Sequence, residues 1–556
     1  MAIIENGDKK YSTLLNEIET GQIKIPQFQR QFVWGLASSA KLIDSILKGY
    51  PIGTFIYWRT NERLRAIRDI GNIKLPEPKE GEFVNYVLDG QQRITSLFAA
   101  LRGETIIRDN GKHEDFSSIY IDLDAQKDED IVVVEVVGKK PFTYVKLTDL
   151  MNQGRRFFND FPEKYDDTID NYREILQSYQ FKGINLKQAE IDIATEVFTR
   201  LNVGGRDLTL FEIMVAKTYD PQREFDLSEK FDELRVELSQ SKYDTISASS
   251  ILQLTSLLLE RECKRKTILK LEKQKFIDTW FEVVECVKSA VDFFRSYGIP
   301  VSKLLPYNAL IVPFGYFFYH HPNNPTGKKL QLLEDFFWRV SLGFRYSSAV
   351  EGKLVQDIDK IDQILREEQP RYEWSINTTP DFIKNNGYFS TGKSLTKAIL
   401  CLYTIFKPKS FDNHLDVNID NSWLKIATSK NYHHFFPKSY MRKNKPEVEY
   451  WLYNHIVNIT IVDGYLNKNK IRAKAPSQYM SEFSNCNINL KDTMKTHLID
   501  DLETYGILEN DYDLFFNSRL NKISKELTAR IIPQESDSIE LITYEDIEIQ
   551  DEGRSS

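Results

Sequence analysis

The strongest constraint on what this chain can fold into is a change of hydrophobic period partway along it. Up to about residue 150, short β-rich runs recur, "PIGTFIYW" (51–58), "NYVLDG" (85–90), "SIYIDL" (118–123) and "IVVVEVV" (131–137), with "ASSAKLIDSILKG" (37–49) in helical spacing between them. From about 160 to 410 the pattern becomes long and amphipathic, as in "ASSILQLTSLLLERE" (248–262) and "FIDTWFEVVECVKSAVDFF" (276–294). A single sheet-and-helix core cannot satisfy both patterns. The expected class is therefore an α+β multidomain protein: an N-terminal domain over 1–230, a helical linker domain over 231–410, a further domain over 411–510 and a closing segment with an acidic tail over 511–556.

Length agrees, since 556 residues exceed what one hydrophobic core usually supports. Cys263, Cys286, Cys401 and Cys486 are scattered without a CxxC pair, which fits neither a disulfide framework nor a zinc cage. With no basic and apolar leader at the start, a cytoplasmic location is expected. The most apolar stretch, Leu304 to Tyr319, carries Pro306, Asn308 and Pro313 and is short for a bilayer span, so it is expected as buried helix with no membrane role. The aromatic stripes through 276–340 are expected in the core. A closing helix is expected around "LKDTMKTHLIDDLETYG" (490–506).

Net charge is −8, but it is unevenly spread. Residues 425–475 hold ten Lys and Arg against Glu447, Glu449 and Asp463, a net of +7, whereas 532–556 hold eight acids against Arg554, a net of −7. A basic island in an acidic chain is the footprint expected for a polyanion, or else a solvated face.

Three polar stretches interrupt the first 220 residues. In "YVLDGQQRITSLFAAL" (86–101), Asp89 and Gln92 are spaced as a capping-box-like pair for the helix that follows. Such a cap does not call for Gly90, Gln91 and Arg93 as well, and a glycine turn feeding a helix beside a guanidinium gathers donors for phosphate. Asp89 is open to either role, Mg²⁺ ligand or cap. Gln29 and Arg30 in "IPQFQRQFVW" repeat the amide-plus-Arg chemistry, and "FTRLNVGGRDLT" supplies Asn202 and Gly205 in a turn between helices. There is no "GxxxxGK[ST]" pattern, which excludes a P-loop NTPase.

The order "IPQFQRQFVW", "SILKGYPIGTFIYW", "VLDGQQRITSL", "FTRLNVGGRDLT" resembles the N-terminal domain of GmrSD-type modification-dependent restriction proteins, over roughly residues 10–220. The resemblance implies a ParB/sulfiredoxin-like domain with NTPase activity, in which the two Gln-Arg turns face each other across a pocket for a nucleoside triphosphate or a nucleic-acid phosphate. It nominates Gln29, Arg30, Asp89, Gly90, Gln91, Gln92, Arg93, Asn202 and Gly205 as nucleotide-binding.

The other informative region is "NYHHFFPKSY" (431–440) with "HIVNITIVDGYLNKNK" (455–470). On an extended strand His433 and His434 point to opposite sides, so one can bind a metal while the other acts as a base. Asn458 lies 24 residues after His434, and Asn467 nine further on. This spacing resembles the HNH, or ββα-metal, nuclease domain at the C-terminus of the same family. The resemblance makes His433 and Asn467 metal ligands, His434 the general base and Asn458 the residue that orients the loop, with Asn469 as a second option for the last ligand. Family members often carry an acid where His433 stands, and an imidazole there turns metal preference from Mg²⁺ toward Mn²⁺, Ni²⁺ or Zn²⁺. Arg442, Lys443, Lys468, Lys470 and Arg472 are the expected DNA-backbone contacts. His455 and "FRYSSAVEGK" (344–353) are expected to be structural.

The resemblance therefore implies a nucleotide-regulated, metal-dependent DNA endonuclease or nickase of antiphage defence, of type IV-like restriction, acting on phage DNA that is modified or not. A homo-oligomer is among the options. The alternative is an NTP-sensing or DNA-binding regulatory module whose nuclease centre is degenerate, with His433 as the feature in its favour.

Overall fold

A computed structural model describes residues 2–26, 32–61, 70, 75–79, 81–108, 113–126, 129–201, 209–220, 222–421 and 432–538, apart from the side chain of Asp192. The chain forms two compact units, Met1–Ser228 and Glu229–Ser556.

The first unit is built on a mixed five-stranded sheet. In chain order its elements are β1 (Ile3–Asn6), α1 (Tyr11–Glu19), β2 (Ile23–Lys24), α2 (Leu36–Leu47), β3 (Phe55–Thr60), β4 (Val84–Asp89), α3 (Gln91–Arg102) and β5 (Gly183–Lys187). Across the sheet the order is β1-β5-β3-β4-β2. β5 runs parallel to β3, with Asn185 opposite Tyr57, and β4 lies antiparallel on the other side of β3, with Val87 opposite Tyr57. The apolar runs 51–58 and 85–90 thus become the two central strands, buried on both faces. Phe55 and Tyr57 join the core formed with α1, α2 and α3, while Trp58 lies on the other face, where its indole donates to Ala189 O at 2.9 Å. Within the mostly helical stretch expected from about residue 160, the strand Gly183–Lys187 completes the sheet. Five residues whose outer faces are covered show too little alternation to stand out in the sequence. "IVVVEVV" contributes only the two-residue strand Val132–Val133.

The second unit is mostly helical: α4 (Ala248–Glu260), α5 (Lys273–Ser296), α6 (Ile311–His320), α7 (Gly327–Leu342), α8 (Val350–Leu365) and α9 (Ser394–Ile405). The apolar 304–319 stretch is buried helix, with Phe314 of α6 packed 4.6 Å from Phe294 of α5. The 344–353 insert is scaffold, for Arg345 pairs with the fully buried Asp357 at 2.9 Å. Among the described residues no helix is long and apolar enough to cross a membrane, and all four cysteines are free.

The end of this unit carries a small ββ hairpin-like ladder. Strand β6 (Tyr432–His434) leads into helix α10 (Lys438–Asn444); strand β7 (Ile459–Ile461) returns antiparallel, with His433 opposite Thr460 and His434 opposite Ile459, and a π-helical turn follows over Leu466–Ile471. The closing helix lies further along the chain than expected. Residues 490–506 give only the short helix Leu490–Lys495, whereas α11 spans Tyr512–Thr528, its N-terminus capped by Asp511. Leu498, at φ 59°, stands just past the short helix, and a left-handed residue there ends the helical run.

Candidate functional site

In the 86–101 stretch the cap is Gly90, not Asp89. Gly90 takes φ 95°, and no side chain caps the start of α3. A Cβ at Gly90 would collide with Cδ1 of Phe55, so the turn tolerates only glycine. Asp89 instead pairs with Arg93, Nη2 to Oδ2 at 2.9 Å. The Arg93 guanidinium also donates to Ile52 O at 2.7 Å and Thr54 O at 3.0 Å and stacks on Phe55, its centre 4.9 Å from the ring. Gly53, at φ 86°, leaves it room, since a Cβ there would collide with Nη1. Arg93 thus ties the 52–54 turn to the start of α3.

Gln92 works in the opposite direction. Its Oε1 accepts from Val33 N at 2.9 Å and Trp34 N at 3.3 Å, and its Nε2 donates to Gln91 Oε1 at 2.6 Å. Arg108, which sequence reasoning missed, completes the hold by donating to Phe32 O at 2.5 Å and Trp34 O at 2.6 Å while paired with Glu114. The only signal for it was a charged pair in "IIRDNGKHED". The segment directly after Gln29 and Arg30 is therefore pinned beside the Asp89–Arg93 turn. Gln29, Arg30, Asn202 and Gly205 lie outside the described residues.

At the other end of the chain the alternation on β6 places the two histidines as expected. His433 is 1% exposed, enclosed by the rings of Phe411, Phe435 and Tyr479. Its Nδ1 lies 3.2 Å from Asn467 Oδ1, on the turn that follows β7. Asn467 Nδ2 donates to Tyr432 O at 3.3 Å, which fixes the amide so that its oxygen faces the ring. Nδ1 accordingly carries the hydrogen here, and Nε2 is a buried nitrogen without a partner among the described residues. Burial first, then the neighbouring His434, lowers the pKa of His433 to about 3, so the ring is neutral at pH 7.

His434 faces the other way. Its Nε2 lies 3.0 Å from Asn454 Oδ1, so Nε2 holds the hydrogen and Nδ1 presents a lone pair. Burial, then Lys438, lowers its pKa to about 4. Asn454 is a second residue missed in the sequence, four positions ahead of Asn458. Asn458 is fully buried and holds the backbone of Phe436 on both sides: Oδ1 accepts from Phe436 N at 2.9 Å, and Nδ2 donates to Phe436 O at 3.0 Å and Tyr453 O at 2.9 Å. It thereby fixes the loop that directly follows His434. His455 is structural, directed at Ile383 O and Lys384 O.

Among the described residues no group of three or more His, Cys, Asp or Glu could hold a metal. The donors available to a divalent ion are one neutral imidazole and one amide oxygen on facing elements. That pair is only part of a ligand set: with His433 1% exposed and enclosed by rings, the waters and phosphate oxygens that complete a divalent ion's shell would have to enter on the Asn467 side, and ligation through Nδ1 requires the ring to exchange tautomers. Asn467, not the exposed Asn469, faces His433. Arg442 and Lys443 lie in the last turn of α10, Lys468 and Lys470 on the π-helical turn, and Arg472 directly after it; all five are exposed.

The family match falls in the first unit, and one relative aligns over most of the chain. Residues 11–219 match the family described as GmrSD restriction endonuclease, N-terminal domain. An uncharacterized protein of Methanocaldococcus jannaschii is 26% identical over 585 residues, covering 92% of this chain and 94% of the relative. The family match implies a restriction-endonuclease-type defence function, with DNA as substrate.

Proposed function

We propose that the chain is a metal-dependent DNA endonuclease or nickase of antiphage defence, with a ββα-metal (HNH) centre at β6 and β7 and a ParB/sulfiredoxin-like N-terminal unit that senses a nucleoside triphosphate or a DNA modification. The observation that carries the nuclease reading is the division of labour across β6: His433 meets Asn467 on one side, and His434 is held by Asn454 on the other. Nδ1 of His434 takes the proton from the attacking water, and Asn454 keeps Nε2 protonated so that the lone pair stays on Nδ1. Asn458 fixes the 435–436 backbone next to it. His433 and Asn467 would hold the divalent ion, Mg²⁺ or Mn²⁺, with Ni²⁺ or Zn²⁺ suited to the imidazole. When bound, it supplies positive charge opposite the charge developing on the phosphate. The five exposed cations position the DNA backbone without reading bases.

In the first unit, the Asp89–Arg93 turn is proposed to bind nucleotide, with Gln29 and Arg30, which lie outside the described residues, assigned to the same pocket by the resemblance. Arg93 has a double role there, since its guanidinium holds the 52–54 turn with some of its five N–H donors and leaves the others for phosphate. Metal-dependent nicking of plasmid by the purified chain, with and without nucleoside triphosphate, tests both parts. The burial of His433 favours a second reading, a regulatory module with a degenerate centre. Absence of nicking with Mg²⁺, Mn²⁺, Ni²⁺ and Zn²⁺ would establish it.

A further inference from the structure

Arg519 lies on α11, outside the residues that the nuclease motif covers, and it is fully buried. It makes no ion pair among the described residues. A guanidinium taken out of water without a carboxylate is costly unless its donors are met. Three of its five N–H groups are directed at backbone oxygens: Nη1 donates to Val457 O and to Ile459 O, the latter at 2.7 Å, and Nε donates to His497 O at 3.1 Å. The charge also sits 4.7 Å from the centre of the Tyr403 ring, whose hydroxyl donates to Ile456 O at 3.0 Å.

The two carbonyls held by Nη1 flank Asn458. In β7, successive carbonyls point to opposite edges. Asn458 O faces β6, where it accepts from Phe435 N at 2.8 Å, and the next carbonyl, Ile459 O, faces away from β6 along the open edge of the two-stranded ladder; Val457 O, on the 3-10 turn Ile456–Asn458 that leads into β7, meets the same guanidinium nitrogen. Arg519 closes that edge. Between its two grips stands the residue whose side chain holds the Phe436 peptide on both sides. The line of contact runs from Arg519 through the 457–459 backbone to Asn458, then to residues 435–436 and His434. The stacking of Phe515 on Phe435, 4.9 Å apart and within 12° of parallel, keeps α11 against the same loop.

We propose that Arg519 is a positioning residue of the nuclease centre, fixing Asn458, and through it the loop after His434, by holding the carbonyls on either side of it. The proposal rests on the nuclease reading for its effect on cleavage but not for its structural content. It is tested with Arg519→Met, which keeps the volume and removes the donors, and Arg519→Lys, which keeps the charge and one short-reach donor. Nicking is measured as kcat and KM, and hydrogen exchange is followed at the Phe436 amide, whose partner is Asn458 Oδ1.

Arg519→Met is expected to lower kcat by about 10- to 100-fold with KM little changed, as is typical when a supporting hydrogen bond behind a metal or catalytic group is removed. Exchange at Phe436 should accelerate at least about tenfold relative to the Thr460 amide, and Arg519→Lys should recover part of both effects. If Arg519→Met does not fold, the same two measurements on Arg519→Lys decide, with intermediate losses expected. Wild-type kcat per folded molecule, or exchange that rises equally across the whole segment, would overturn the proposal. If the unaltered protein nicks nothing with any metal, the nuclease reading fails, and the Phe436 exchange alone still decides whether Arg519 positions Asn458.

Discussion

The Asp89–Arg93 turn and the β6–β7 centre use the same vocabulary, amides and cations acting on backbone, to opposite ends. At the first, Arg93, Gln92 and Arg108 tie three surface segments together while the Asp89 side chain remains 40% exposed. At the second, His433, Asn454, Asn458 and Arg519 are buried beneath aromatic rings, and each polar bond fixes one atom of the centre. The first site exposes the Asp89 carboxylate while Gln91 and Gln92 stay buried, whereas at the second the groups that fix the peptides around the base are buried throughout.

The comparison is sharpened most by Asn458→Ala. Loss of three buried hydrogen bonds, two to Phe436 and one to Tyr453 O, should cost on the order of 3 kcal/mol, detected as a lowered thermal midpoint of the second unit, and remove nicking. An unaltered midpoint would show that the Phe436 peptide is held by other groups. Asn454→Ala comes next, since it frees the His434 ring without opening the core; nicking should fall about 10- to 100-fold with DNA affinity retained.

Acid should also separate the two units. His433, His434, His455 and His497 have pKa values lowered by burial to about 3, 4, 4 and 3. Below the ordinary value of 6.5 the unfolded chain binds protons that these folded rings refuse, so stability is full above pH 6.5 and falls as pH drops toward 4. The first unit has only the exposed His113. In calorimetry of the full chain, the transition of the second unit should move to lower temperature between pH 7 and 5 more than that of the first. Equal movement of both would contradict the buried state of the four histidines.

Smaller effects belong to the surface. Arg93→Gln should cost about 1 to 2 kcal/mol in the first unit and abolish any response of nicking to nucleotide while leaving basal nicking unchanged. A full nucleotide response in this variant would remove Arg93 from the pocket. Changing Lys468, Lys470 and Arg472 together to Gln should flatten the slope of log DNA affinity against log salt by up to about 0.9 for each phosphate that is no longer neutralised. An unchanged slope would place the DNA elsewhere.

The two sites differed in how much the sequence disclosed. Strand alternation predicts the opposite facing of His433 and His434, which the ladder shows, whereas Asn458 and Asn467 were indicated by the resemblance to the ββα-metal motif; the fold brings Asn467 to His433. Asn454 and Arg519 were not legible, since their roles come from where they meet the ladder; Arg519 reaches it from 60 residues away in sequence. In the first unit the glycines and arginines were legible as a turn, but the partners of Arg93 were not. The Asp89 cap failed because Gly90 in the left-handed region swings Asp89 away from the helix and toward Arg93. β5 was hidden by its brevity, and its pairing with β3 spans much of the first unit.

The most direct test of the account is nicking by His434→Ala and His433→Ala as metal concentration is raised. Removal of the base should lower cleavage by about 10²- to 10⁴-fold while metal and DNA still bind, and added Mn²⁺ should not restore it. Removal of the ring opposite Asn467 should instead weaken the metal, so that Mn²⁺ recovers part of the activity. Wild-type cleavage by His434→Ala would contradict the assignment of the base and, with it, the nuclease reading of β6 and β7.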